Sequence, residues 1–218
     1  MITSYTEENY LKAIYHLHHE KNASVSTNSI SESLQTRAAS VTDMLKKLAD
    51  KGFINYAKYQ GVTLTDSGKQ KAIEIIRKHR LWEVFLVEKL NFKWDEVHDL
   101  AEELEHINSE ILINKLDEFL DFPKNDPHGD PIPDKNGVLK SQEVLPIHKL
   151  QIGDAGIISG VKEHSKGFLQ YLEKTGLTLG ETIKIVDKID FDGSVIINIH
   201  QKEQNISREV AKNLLIAI

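Results

Sequence analysis

Apolar residues recur at helical spacing through the first fifty positions, then give way to short alternating runs. Tyr10, Ile14, Tyr15 and Leu17 mark one face of a first helix, with Thr6 placed to cap it. Ile30 and Leu34 follow on a short second helix that Ser26 can cap. Val41, Leu45 and Leu48 lie on a third, which Thr36 can start and Gly52 can end. Residues 53–56 and 62–65 flank a turn at 60–61 and read as two short strands. Helix, short helix, helix and hairpin in that order is the layout of a winged helix-turn-helix, whose third helix enters a DNA major groove.

A long helix opens at Asp66 or Ser67 and carries Ile73, Ile76, Leu81, Val84, Phe85 and Leu86 to about Leu90. Two further helices are expected from near Asp95 and from about Ser109 to Leu120. Four prolines fall between Pro123 and Pro133, a density that allows only a linker or an ordered crossing. From about Leu145 the pattern turns to β. Residues 155–161, 182–186 and 195–199 are β-branched runs set off by Gly153, Gly160, Gly180 and Gly193, with one short helix around 168–174. This predicts a small SH3-like barrel. The fold class is mainly α with small β parts. The expected domains are 1–70 (winged helix-turn-helix), 71–125 (helical), 126–144 (Pro-rich linker) and 145–218 (SH3-like).

Composition narrows the chemistry. The chain has 218 residues, 40% of them hydrophobic and 28% charged, as in ordinary globular proteins. With no Cys, disulfides, thiolate metal sites and a Cys nucleophile are excluded. The first residues show neither a basic n-region nor an apolar h-region, and no run approaches the ~18 apolar residues of a membrane span. A cytoplasmic protein without membrane partners is expected. The net charge of −6 comes from the middle of the chain: residues 95–105 hold six acids and no base. Such a cluster is either a solvated helix face or a cation site.

His98, Glu102, Glu105 and His106 would share an arc of about 100° on one helix. His79 and Glu83 form an i, i+4 pair upstream. Imidazoles with carboxylates suit a borderline divalent ion, although a polar face on an amphipathic helix needs no metal. For DNA, the third helix offers Arg37, Ala39, Ser40, Asp43 and Lys46 with Thr36 and Thr42, and the hairpin tip offers Lys58 and Tyr59. No phosphate-binding glycine loop, nucleophile elbow or HExxH motif is present, so catalysis has no foothold.

Taken together, the stretches NYLKAIYHL, ASVTDMLKKLADKGF, YAKYQGVTLTDSGK, KHRLWEVFLVEKLNF and EVHDLAEELEHINSE, the Pro-rich DPHGDPIP and the C-terminal barrel resemble the diphtheria-toxin-repressor family of metal-dependent transcription regulators, in its manganese-sensing branch. The resemblance covers essentially the whole chain. It implies that Glu102, Glu105 and His106, with Asn9 from the first helix, form a primary, DNA-activating metal site. It further implies an ancillary site of His79, Glu83 and His98 closed by Glu163 from the barrel, with Asp126, His128 and His164 as alternates. Two Mn²⁺ (or Fe²⁺) ions per protomer, a homodimer built on residues 95–120, a palindromic double-stranded DNA operator, metal-uptake genes as targets, no small organic ligand and an FeoA-type barrel follow from it.

Two positions depart from the family pattern. Iron sensors carry Cys at Glu102 and a thioether at Asn9; oxygen donors there favour the harder Mn²⁺. Manganese sensors, however, place Asp where this chain has Asn9, and some place a second carboxylate where it has Lys12. Glu7 and Glu8 are the replacements available at the helix start. A metal-independent helix-turn-helix adaptor whose barrel binds a partner protein is the alternative, and a metal-dependent hydrolase a weaker one.

Overall fold

A computed structural model describes residues 3–21, 24–57, 61–139 and 143–218. The chain groups into two units. The first contains the N-terminal residues to His79, Glu102–Asn114 and Pro133–Val138; the second contains Arg80–Ala101, Lys115–Ile132 and Leu139–Ile218.

In the first unit, α1 (Tyr5–Lys21), α2 (Thr27–Ser33) and α3 (Ala38–Asp50) pack around Leu11, Ile14, Ile30, Val41, Leu45 and Leu48, all fully buried. The hairpin of β1 (Ile54–Ala57) and β2 (Gly61–Leu64) pairs Ile54 with Leu64 in antiparallel register, and Val25 bridges Val62 from outside it. Among the described residues, three helices and a hairpin thus stand in the expected winged helix-turn-helix order. The caps differ from expectation. Ser4, not Thr6, opens α1 through a capping box: the Ser4 N–H donates to Glu7 Oε2 at 2.8 Å and the Glu7 N–H to Ser4 Oγ at 3.4 Å. Thr36 does not cap α3, because its N–H donates to the Ser31 carbonyl and its own carbonyl accepts from the Ser31 hydroxyl, which leaves Arg37 at the N-cap. Ser26 caps α2 as expected, accepting from the Ser29 N–H.

Helices α4 (Asp66–Leu90), α5 (His98–Leu104) and α6 (Glu110–Phe119) follow, each contributing residues to both units. Thr65 Oγ1 caps α4 through the Gly68 N–H. Gly68 is required there: a Cβ would stand 1.9 Å from the Phe53 carbonyl oxygen.

The second unit holds a six-stranded antiparallel sheet in the order β3 (Val144–Pro146), β8 (Leu214–Ala217), β4 (Ala155–Val161), β5 (Thr182–Ile189), β6 (Ser194–Ile199), β7 (Lys202–Ile206). Among the described residues no ladder joins β3 to β7, so in place of the expected closed barrel there is a six-stranded sheet with two edge strands. Its core of Ile147, Leu150, Ile158, Leu169, Leu172, Ile183, Ile197 and Ile216 is closed by α7 (Lys166–Thr175) and α8 (Arg208–Asn213), with Trp94 packed against it. The Pro-rich segment is an ordered loop. The Asp126 carboxylate accepts from the His128 and Asp130 N–H groups, and the Val161 N–H donates to the His128 carbonyl.

Candidate metal centres and DNA-facing helix

Helix α5 ends at Leu104, so Glu105 and His106 leave it in a turn and the predicted four-residue arc is divided. In the first unit, Glu102 and Glu105 meet His79 from α4; one ligand atom from each lies within 4.8 Å of the others. His79 Nδ1 donates to Glu105 Oε2 at 2.6 Å, the only sense possible toward an ionised carboxylate. From α1, the Lys12 ammonium reaches Glu102 Oε1 at 2.5 Å and both Glu105 oxygens at 2.7 Å. Burial pushes the Glu105 carboxyl up, but the His79 hydrogen bond and the charges of Lys12 and His79 outweigh it and hold it below the ordinary carboxylate value.

His106 stands beside this group, with Nε2 4.0 Å from Glu105 Oε1. Its Nδ1 donates to buried Glu8 Oε2 at 2.7 Å, and its ring stacks on Tyr5. A carboxylate on one ring nitrogen fixes the tautomer and leaves the other unprotonated, with a lone pair for a metal. Glu8 is thus a partner of the expected ligand His106, and this role had no signal in spacing. Its neighbour Glu7 turns away to Lys47 and Lys51, at 3.1 and 2.7 Å. Asn9 is half-buried, and its Oδ1 is buried and accepts no hydrogen bond among the described residues.

The second unit gathers Glu83, Asp126 and His128, all buried, with ligand atoms within 4.8 Å of one another. Burial, then the nearby charges of Glu83 and Asp130, push the Asp126 carboxyl up to about 7. Burial lowers His128, but its contact with Glu83 more than reverses this and raises it overall. His128 Nε2 donates to the Trp94 carbonyl at 2.8 Å, leaving Nδ1 3.6 Å from Glu83 Oε2. Arg80 approaches from the side, 3.5 Å from Asp126 and 3.0 Å from Asp130.

Of the other residues assigned to the ancillary site, His98 Nδ1 stands 3.8 Å from Glu83, and His164 stacks on His128 at 4.9 Å. Glu163 is exposed, and its carboxylate accepts from the Ser165 N–H at the start of α7. Two buried carboxylates and an imidazole form a donor set that fits a divalent ion. His79 with Glu102 and Glu105 forms another, although there the oxygens already face Lys12.

On α3, Ala39, Ser40, Asp43 and Lys46 are exposed and Thr42 half-buried, away from the buried Val41, Leu45 and Leu48; just before the helix, Arg37 is exposed and Thr36 half-buried. Lys58 and Tyr59 lie outside the described residues. No helix is long and apolar enough to cross a membrane among the described residues.

Sequence comparison places residues 2–62 in the iron dependent repressor N-terminal DNA binding domain, 65–134 in the iron dependent repressor metal binding and dimerisation domain, and 145–218 in the FeoA domain. The diphtheria toxin repressor of Corynebacterium diphtheriae is 26% identical, with 97% of this chain and 96% of that protein aligned. The iron-dependent repressor IdeR of Mycobacterium tuberculosis is 34% identical over 128 residues, which span about half of that protein (55%). Among solved structures, a manganese-dependent transcriptional repressor in complex with manganese superimposes with a TM-score of 0.88 at 31% identity, covering 97% of this chain and 99% of that one. ScaR with bound Zn²⁺ gives 0.79 at 33% identity, with 97% and 99% covered. With its DNA-binding, metal-binding and FeoA segments in the family's order, and with full-length likeness above 30% identity, the chain belongs to the iron-dependent repressor family of metal-dependent transcriptional regulators.

Proposed function

We propose that this protein is a cytoplasmic, metal-activated repressor that binds a palindromic operator as a homodimer and controls metal-uptake genes. Two Mn²⁺ (or Fe²⁺) ions per protomer are its cofactors. Glu102, Glu105, His106 and Asn9 would hold the first, joined by His79, which the structure sets beside Glu105. Glu83, Asp126 and His128 would hold the second, a choice supported by their joint burial, whereas exposed Glu163 is less suited. When bound, a dication supplies the positive charge that draws the carboxylates and imidazoles of each group together.

The observation that carries this reading is the arrangement of α1. Its adjacent glutamates take different partners, Glu8 pairing with His106 in the metal-binding segment and Glu7 with Lys47 and Lys51 on and just after α3. A shift of α1 on its Glu8 side would therefore reach α3 through ion pairs anchored on the buried Glu7 carboxylate. Exposed Ile111, Phe119 and Phe122 on and after α6 offer apolar surface for a second copy.

A mobility-shift titration on the protein's own promoter tests this. Binding is expected to vanish with chelator and return with Mn²⁺. Equal affinity under both conditions would overturn the metal-activated reading in favour of the adaptor.

A further inference from the structure

We infer that Lys12 is a built-in competitor for the first metal site, an internal cation that a divalent ion must displace before it can enter. The inference rests on the metal-activated reading and deepens it. Lys12 Nζ makes three contacts of 2.5–2.7 Å with Glu102 and Glu105, the carboxylates that a dication would need. The Lys12 side chain is only 12% exposed and that of Glu105 fully buried, so the contact is a desolvated ion pair rather than a surface one. His79 also donates to Glu105 Oε2, so both Glu105 oxygens are engaged by the two residues together.

An ammonium and a dication cannot share these oxygens. Their charges repel at such short range, and a carboxylate pair whose charge Lys12 already offsets in part offers less attraction to an incoming ion. Lys12 also joins α1 to the Glu102–Glu105 segment, the same connection that the proposed metal makes. The lysine therefore does two things. It keeps the carboxylates paired when metal is scarce, and it raises the metal concentration at which the site fills. The exchange is complete in itself: Lys12 leaves as the solvated ammonium, and Asn9, with its unengaged Oδ1, remains on α1 to meet the ion.

Competitive titration of the full-length protein with Mn²⁺ against a fluorescent chelator, together with thermal unfolding in excess chelator, tests the inference without reference to DNA. Lys12→Met keeps the stem and removes the charge. It is expected to tighten one Mn²⁺-binding event at least tenfold and to lower the unfolding temperature in chelator. Adding Glu102→Gln should erase the gain. Lys12→Arg keeps the charge and is expected to bind Mn²⁺ no more tightly than the unaltered protein, so it serves even where the Met variant does not fold. If the unaltered protein binds Mn²⁺ and Lys12→Met binds it equally or more weakly, the competitor role is overturned and metal activation stands. Tightening by Lys12→Arg likewise overturns it. If neither the unaltered protein nor any variant binds Mn²⁺, both readings fall together.

Discussion

Glu7 and Glu8 are consecutive, fully buried carboxylates with different tasks. Burial pushes the Glu7 carboxyl up, but hydrogen bonds from Lys51, the Ser4 N–H and Lys47 more than offset this and bring it down to about 2. A group whose pKa is depressed on folding adds stability above its unfolded value, near 4.5, and loses it as pH falls toward 2. Glu7→Gln is therefore expected to cost about 1–3 kcal/mol at neutral pH, with the difference closing on acidification. Thermal unfolding of both proteins across that range checks the sign. Glu8 holds His106, which is proposed to bind the metal. Glu8→Gln should leave the fold intact and raise the Mn²⁺ concentration for half-maximal DNA binding about 10–100-fold, the usual cost of losing a carboxylate behind a histidine ligand. An unchanged midpoint would mean that His106 needs no such orientation.

Among the elements, the 124–132 loop depends for its geometry on a single glycine. Gly129 has φ of +91°, and a Cβ there would stand 2.1 Å from the Ser159 carbonyl and 2.4 Å from Gly160 Cα. Gly129→Ala must lift the loop from β4 and carry His128 away from Glu83. About 1–3 kcal/mol of stability should be lost, and titration should show one fewer ion bound per protomer.

Helices were legible in the sequence wherever a face had to be buried. The Val41–Leu45–Leu48 repeat and the long apolar face of α4 fixed both elements to within a residue or two. Caps were less so, because Ser4 and Thr6 can both cap a helix and the reach of Glu7 decides between them. Strand β7, KEQNI, was missed because an edge strand with one paired side needs no apolar alternation. The division of the acidic cluster was invisible as well. Spacing cannot show that α5 stops at Leu104, nor that Asp126 and His128 come to Glu83 from a loop forty residues on.

Taken as one body, the protein is acidic, with a net charge of −6, yet must approach a polyanion. On α3, the helix proposed to face DNA, Lys47 is committed to Glu7 and Lys46 lies 3.4 Å from Asp43, while Arg37 at its N-cap has no acidic partner among the described residues. Few phosphate contacts and a repulsive background should make operator binding dependent on base readout, with weak non-specific affinity. In a dimer, Arg37→Ala removes one such contact per protomer and is expected to make the slope of log affinity against log salt shallower by about 2. A slope that does not change would place Arg37 off the phosphate backbone.

The sheet left open between β3 and β7 has a bearing on handling of the protein rather than on its regulation. An unpaired row of peptide N–H and C=O groups is a template for strand addition by any neighbour, and closed barrels avoid the hazard by having no edge. Here one edge ends in Pro146, which has no N–H to offer. The other edge displays Lys202, Glu203 and Asn205 to water. Docking a foreign strand on β7 would strip hydration from both charges at once. These polar positions therefore act as gatekeepers: they keep the C-terminal sheet from stacking into fibrillar aggregates, a constraint that holds even in a cell where the regulator has no metal to sense.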